Sequence, residues 1–338
     1  MTAGVGLVLF GLFQLRLSLC LESVPATASA LVERRLAVMG TVLDLRVEGT
    51  DRASALKASE AAVCEIARVE NLLSTWKPGG PLDRLNGARP GERVAIGAEA
   101  ARVLSEVFAW SQCTDGAFDP TVLPLVRAWD LRGSGHEPGN AERLRALAAT
   151  GRARFQLDAA RSEGRRLSEE AGIDEGAWGK GYALDRAAAA LQKAGTRRAL
   201  LDLGGQVISI GGTVVAIADP RDRGRAAASL GFADASVSTS GNSERSLVVA
   251  GRRIGHLLDP RTGLPAPDFG SATVVAPSGL TADVLSTAFF VLGPARGLAL
   301  SERLRRAGLE NQVLFLVVAG DRVNAIASPD LQFHFEEP

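Results

Sequence analysis

Three short apolar runs, 199–203, 207–210 and 214–218, follow one another across three-residue gaps, Gly204-Gly205-Gln206 and Gly211-Gly212-Thr213. No helix fits such spacing. The runs read as strands, and the glycines read as turns or as points of close backbone approach. Further strand signals lie at 36–47, 247–249, 272–275, 313–318 and 322–326. Within 36–47 the Met39-Gly40-Thr41 step suggests a bulge or a close approach to a ligand. Helical periodicity is confined to a few longer segments: 51–73, 98–112, 141–149, 182–193, a segment carrying Asp283, and 295–307. Many strands and few but long helices predict an α+β fold, a mixed or antiparallel sheet core with packed helices.

Balanced charge narrows the partners. The 338-residue chain carries 38 Lys and Arg against 38 Asp and Glu, and it has no long basic run, which argues against nucleic acid. Its three histidines and the absence of a C-x-x-C pair argue against zinc. At the N-terminus, residues 4–13 are apolar and Ala26-Thr27-Ala28-Ser29-Ala30 offers small-residue cleavage sites. Residues 1–30 therefore read as a secretory signal, although Gln14 and Arg16 interrupt the apolar run. Residues 31–338 remain as one domain, periplasmic or otherwise exported, and cytoplasmic if that segment is no signal. Cys20 follows Leu17-Ser18-Leu19, a poor match to a lipoprotein anchor. Cys64 and Cys113 lie in apolar helical patterns and read as buried hydrophobes.

Chemistry concentrates between Val237 and Gly293. Asp283 and Thr287 stand four apart in a helical pattern, so both oxygens can leave one face. One carboxylate and one hydroxyl suit a hard cation completed by phosphate or water; helix packing is the competing reading. His256 precedes Asp259-Pro260-Arg261-Thr262-Gly263, either as a base near neutral pH or as a structural residue holding that turn. Upstream, the glycines around Lys180 precede a helix and suggest an anion site, or a tight turn with a solvated lysine. The pattern is neither a Walker loop nor a dinucleotide fingerprint. Asp185 lies further along that helix, either in contact with an earlier loop or exposed. Trp76 opens a Pro/Gly loop, either packed on the core or offering a flat surface to a ring. Asp119, before Pro120, sits in a structured loop or caps the next segment.

Taken together these motifs resemble one family, the FAD:protein FMN transferases or ApbE-like flavin transferases. Met39-Gly40-Thr41 is similar to its M-G-T, and the run from Ser74-Thr75-Trp76 to Leu85-Asn86 to its S-T-Y/W…L-N. Gly116-Ala117-Phe118-Asp119-Pro120-Thr121 matches G-A-F-D-P-T, and Asp174 to Asp185 resembles D-L-G-A-I-A-K-G-Y-A-x-D. Thr239-Ser240-Gly241, the His256 to Gly263 motif, and Ala282-Asp283…Thr287 complete the set in the family's order. The resemblance implies an ApbE-like, T-fold-like architecture and Mg²⁺-dependent transfer of FMN from FAD to a Thr or Ser hydroxyl of an acceptor protein, with release of AMP. It implies Mg²⁺ ligands at Asp283, Thr287, Ser286 and the Ala177 carbonyl. The flavin pocket would draw on Met39, Trp76, Ala117, Phe118, Asp119, Asp174, Lys180 and the Leu257 backbone, with His256 as the base. It also implies association with the inner membrane through the acceptor.

Several positions depart from that pattern. Glu175 replaces the usual Leu, and Trp178-Gly179 replace Ile-Ala, so that a bulky ring beside the metal carbonyl would reshape the nucleotide site. Gly80 and Asp83 stand where serines are usual, Asn242-Ser243 replace an acidic-aromatic pair, and the Trp expected before Asp219-Pro220 is missing. Two rival readings follow: an FAD pyrophosphatase giving FMN and AMP, and a non-catalytic flavin-binding protein.

Overall fold

Two residues with positive φ reverse the chain where a single strand was expected. Met39 (φ 51°) and Gly40 (φ 68°) form a two-residue turn of the kind that joins hairpin strands. The stretch 36–47 is therefore two strands, β1 (Ala30–Val38) and β2 (Thr41–Gly49), and the glycine marks a turn rather than a bulge. The computed structural model describes residues 30–336 except 244–245 and 250. Residues 1–29, on which the signal reading rests, lie outside the described residues.

Helix α1 (Arg52–Leu73) starts at a capping box. Asp51 accepts from the Ser54 amide, and the Ser54 hydroxyl accepts from the Asp51 amide. Its buried stripe, Ala55, Ala62, Ile66, Val69 and Leu73, steps at helical spacing. Cys64 falls off that stripe. It is an exposed free thiol and Cys113 a half-buried one, so neither is the buried hydrophobe expected. A short α2 (Pro81–Gly87) and strand β3 (Val94–Ala95) lead to α3 (Ala98–Cys113), α4 (Leu123–Ala128) and α5 (Asn140–Ala149). Strands β4 (Phe155–Asp158) and β5 (Glu163–Arg166) precede α6 (Gly179–Lys193).

The glycine-punctuated runs follow as β6 (Arg198–Leu203), β7 (Gln206–Ile210) and β8 (Gly212–Ala218), then β9 (Ala226–Ala233) and β10 (Ser236–Gly241). A small hairpin, β11 (Ser246–Val249) and β12 (Arg252–Gly255), and a turn framed by β13 (Leu258–Asp259) and β14 (Leu264–Pro265) lead into β15 (Gly270–Ala276). The chain closes with α7 (Gly279–Arg306), β16 (Gln312–Ala319), β17 (Arg322–Ala327) and β18 (Phe333–Phe335). Helix α7 joins the Asp283 segment to the expected helix at 295–307 through a kink at Gly293 (φ 74°), where Pro294 supplies no amide hydrogen.

The main sheet runs β1-β2-β6-β7-β10-β15-β16-β17, and every adjacent pair is antiparallel. The choice left between mixed and antiparallel resolves to antiparallel. The turn Gly204-Gly205 pairs β6 with β7, but at Gly211 the chain leaves the sheet. Strand β8 joins β9 and β18 in a separate three-stranded sheet. Alternation explains how the layers stack. Val313 and Phe315 of β16 face the helices α1, α3, α6 and α7, whereas Leu314 and Leu316 face Ile217, Ala228 and Leu230 of the small sheet. Helices cover one face, and the small sheet covers part of the other.

Candidate active site

A cleft of about 1360 Å³ opens among the β1–β2 turn, the loops after α1 and α3, the first turn of α6, the middle of β10 and the segment after β12. Met39, Trp76, Ala117, Phe118, Asp119, Asp174, Ala177, Lys180, His256, Leu257, Asp283 and Thr287 all line it. These residues are spread over some 250 positions of sequence. The fold brings them to one cleft. Ser286 alone of the expected set stands behind the cleft lining, fully buried.

Two glycines build the side of the cleft that holds Asp283. A Cβ on Gly181 would run into the Gly279 carbonyl, and a Cβ on Gly279 into the Gly181 carbonyl, so the first turns of α6 and α7 cross backbone on backbone. Helix α6 begins at Gly179, earlier than its periodicity suggested, which puts Lys180 inside the first turn and makes Gly181 a packing residue. Asp185 is neither exposed nor against an earlier loop. It caps α7, accepting from the amides of Gly279 (2.5 Å) and Leu280 (2.9 Å). Burial, with lesser contributions from Glu106 and Asp283, lifts its carboxyl to about 6.

Asp283 is only 5% exposed and accepts from the Gly181 amide at 3.0 Å. Ser286 donates to the Asp283 carbonyl (3.0 Å) and meets the hydroxyls of Ser240 (2.9 Å) and Ser238 (3.2 Å). Ser240 in turn lies 3.4 Å from the Thr287 hydroxyl. Among the described residues no three His, Cys, Asp or Glu side chains gather as a metal group. The side-chain donors around Asp283 are one carboxylate and hydroxyls, all hard oxygens, and Ala177 lines the same cleft. Gln206 adds a buried side-chain oxygen that lacks a hydrogen-bond partner, while its amide nitrogen holds the Gly279 carbonyl at 2.9 Å. Such a set fits a hard divalent cation that takes its remaining ligands from phosphate or water.

The opposite wall is organised by Arg132, which sequence reasoning missed. Its guanidinium donates to Asp174 (2.5 Å), to the Thr75 hydroxyl (2.7 Å) and to the Thr75 carbonyl (3.2 Å). It also lies 4.2 Å from the centre of the Trp76 ring, which is 60% exposed and faces the cleft. Glu175 closes the network by accepting from the amide (3.1 Å) and hydroxyl (2.5 Å) of Thr75. Burial first, and the neighbouring Asp174 second, push the Glu175 carboxyl up. Two adjacent acids asked for a cation, but nothing in the sequence pointed to one 42 residues upstream. Trp178 takes no part in the cleft. It is fully buried, with its indole N–H on the Asp174 carbonyl (2.8 Å), so its ring does not reshape the cleft.

Asp119 is a loop organiser that also faces the cleft. It accepts from the Thr121 amide (2.8 Å) and hydroxyl (2.6 Å) and from Ser111 (3.3 Å), and burial pushes its carboxyl up. The Asp259-Pro260 turn is held by Arg261, which donates to Asp259 through its backbone amide (2.9 Å) and guanidinium (2.8 Å). His256 lies just before that turn, half-buried on the cleft wall.

Comparisons with known proteins agree with this layout. The model of the ApbE family matches residues 39–310. The FAD:protein FMN transferase of Klebsiella pneumoniae is 30% identical over 322 residues, 91% of this chain and 90% of that protein. Its Salmonella typhimurium counterpart is 31% identical over 307 residues, 87% and 86% of the two chains. The crystal structure of the ApbE protein from Thermotoga maritima superposes with a TM-score of 0.80 at 28% identity, covering 89% of this chain and 97% of that one. Its fold is the same antiparallel sheet with packed helices. The chain belongs to the ApbE family of flavin transferases.

Proposed function

We propose that this chain transfers FMN from FAD to a Thr or Ser hydroxyl of an acceptor protein and releases AMP, with Mg²⁺ bound at Asp283. The observation that carries the reading is a single cleft holding a carboxylate–hydroxyl pair, a lysine, a histidine and an exposed tryptophan face. In the reaction, the acceptor hydroxyl oxygen attacks the phosphorus of the FMN half. The bond from that phosphorus to the bridging oxygen breaks, and the electron pair leaves with AMP. His256 takes the hydroxyl proton. Lys180, in the first turn of α6 and on the cleft lining, offers a compact positive charge to the pyrophosphate. Trp76, fixed by Arg132, presents its face to a ring of the substrate.

Asp283, Thr287 and the Ala177 carbonyl would hold the Mg²⁺, with Ser286 bracing them from behind. An ion held there would supply neutralisation of the phosphate charge. The proposal extends to location: an exported protein meeting an acceptor at the inner membrane, resting on the apolar N-terminus and its small-residue cleavage sites.

The test is to incubate the protein with FAD, Mg²⁺ and the protein that the Salmonella typhimurium relative modifies, then to measure acceptor mass and AMP. The acceptor should gain one FMN, chelation should stop the gain, and Asp283→Ala should lower turnover by on the order of 10³-fold. AMP without an adduct would identify a pyrophosphatase, and bound FAD with neither product a flavin-binding protein.

A further inference from the structure

The cleft is larger than the roughly 300–1,000 Å³ that a single small ligand fills. A transferase with a protein acceptor must seat a second reactant, and one side of the cleft has a surface for it. Val215, Ala216, Ile217 and Ala218 of β8 line the cleft together with His256 and Asp283. In the small sheet β8 is an edge, paired with β9 alone.

The ladder shows which groups of that edge point outward. The Asp234 amide donates to the Gly211 carbonyl, and the Glu336 amide to the Ala227 carbonyl. With the β8–β9 and β9–β18 registers, these bonds make Thr213–Phe232, Val215–Leu230 and Ile217–Ala228 the hydrogen-bonded pairs. Gly212, Val214, Ala216 and Ala218 therefore turn their N–H and C=O groups away from β9. No backbone group of another described element bonds to them.

Natural sheets guard such edges with charge, proline or a covering element. The edges of the main sheet are guarded: β1 carries Glu33, Arg34 and Arg35, and β17 carries Arg322. Strand β8 reads Gly-Thr-Val-Val-Ala-Ile-Ala, without a charge or a proline, and its Val214 is 69% exposed. An uncharged, β-branched edge opening into a cleft is a template for strand addition.

We propose that the outer edge of β8 captures an extended segment of the acceptor protein as an added strand, and so delivers its hydroxyl residue to the cleft that holds His256. Main-chain bonds to Val214, Ala216 and Ala218 give affinity with little demand on acceptor sequence. The proposal rests on the FMN-transfer reading.

The test uses the full protein, FAD, Mg²⁺ and the acceptor of the Salmonella typhimurium relative. Ala216→Pro removes one outward N–H and no bond to β9, a placement that edge strands tolerate. The KM for acceptor should rise by about 3- to 10-fold, the amount that one main-chain hydrogen bond supplies. The KM for FAD should move by less than about 2-fold. Independently, saturating acceptor should slow amide hydrogen exchange across residues 212–218 of the unmodified enzyme. A rise in the KM for FAD with the acceptor KM unchanged would assign the edge to the nucleotide and overturn the proposal, as would unprotected amides at 212–218. If the wild-type enzyme modifies no acceptor at all, the FMN-transfer reading fails first and takes the proposal with it.

Discussion

The guanidinium of Arg132 ties Asp174, both oxygens of Thr75 and the ring of Trp76 into one wall. A planar fork makes this arrangement and an ammonium does not. Arg132→Lys should therefore cost about 1–2 kcal/mol of stability, through weaker stacking on Trp76 and loss of one donor to Thr75 or Asp174. The KM for FAD should rise by about 5-fold as Trp76 loses its backing, and its fluorescence should shift to the red on exposure. An unchanged emission spectrum would detach Trp76 from Arg132. At this scale the sequence was half legible. Trp76, Asp174, Lys180 and Asp283 stood in recognisable motifs, whereas Arg132 lies beside a glycine loop without periodicity, and its partners come from segments far away in the chain. Trp178 misled for the opposite reason: its bulk was visible, but its inward direction was not.

Where α6 and α7 cross, the geometry around Asp283 depends on two missing side chains. Gly181→Ala would place a methyl against the Gly279 carbonyl, a backbone atom that cannot swing aside. A loss of about 2–3 kcal/mol and a weakened Mg²⁺ response are expected together, because the Gly181 amide also holds Asp283. Thermal unfolding with and without Mg²⁺ separates the two effects. A second junction joins α1, α3 and α6 through Glu99. Arg68, chiefly, with help from the Tyr182 hydroxyl, holds the Glu99 carboxyl at about 2, against an ordinary value of 4.5. A folded value below the unfolded one stabilises the protein above pH 4.5, and that contribution is lost as pH falls toward 2. The Tm gap between wild type and Glu99→Gln should therefore narrow as the buffer goes from about pH 6 to about pH 3. A constant gap would show that the carboxylate charge plays no part.

Element prediction succeeded where burial imposed a period. The stripes of α1 and α3, and the apolar runs of β6, β7 and β16, were visible because one or both faces are covered. It failed for β4 and β5, whose Phe-Gln-Leu-Asp and Glu-Gly-Arg-Arg carry charge, and for β9, whose alanines read as no element in particular. It also merged β1 with β2, because a methionine at positive φ leaves no mark in composition.

For the whole molecule, the sheet order turns scattered motifs into a site. Strand β10 pairs with β15 beside α7, which carries Asp283 and Thr287 on the cleft lining and sets Ser286 against Ser238 and Ser240. The β1–β2 turn and the first turn of α6 add Met39 and Lys180 to the same cleft. That strands were many and helices few was legible in the sequence. That β8 leaves the main sheet at Gly211 was not, because a glycine pair permits a hairpin and an exit equally. The measurement that bears most directly on the account is a single-turnover experiment with limiting FAD, excess enzyme and Mg²⁺, and the acceptor either present or absent. Intact acceptor mass and AMP are counted in the same sample. The account predicts about one FMN adduct for each AMP, with AMP formation slowed by on the order of 10²-fold when acceptor is left out. AMP accumulating at equal speed with the acceptor unmodified would contradict it.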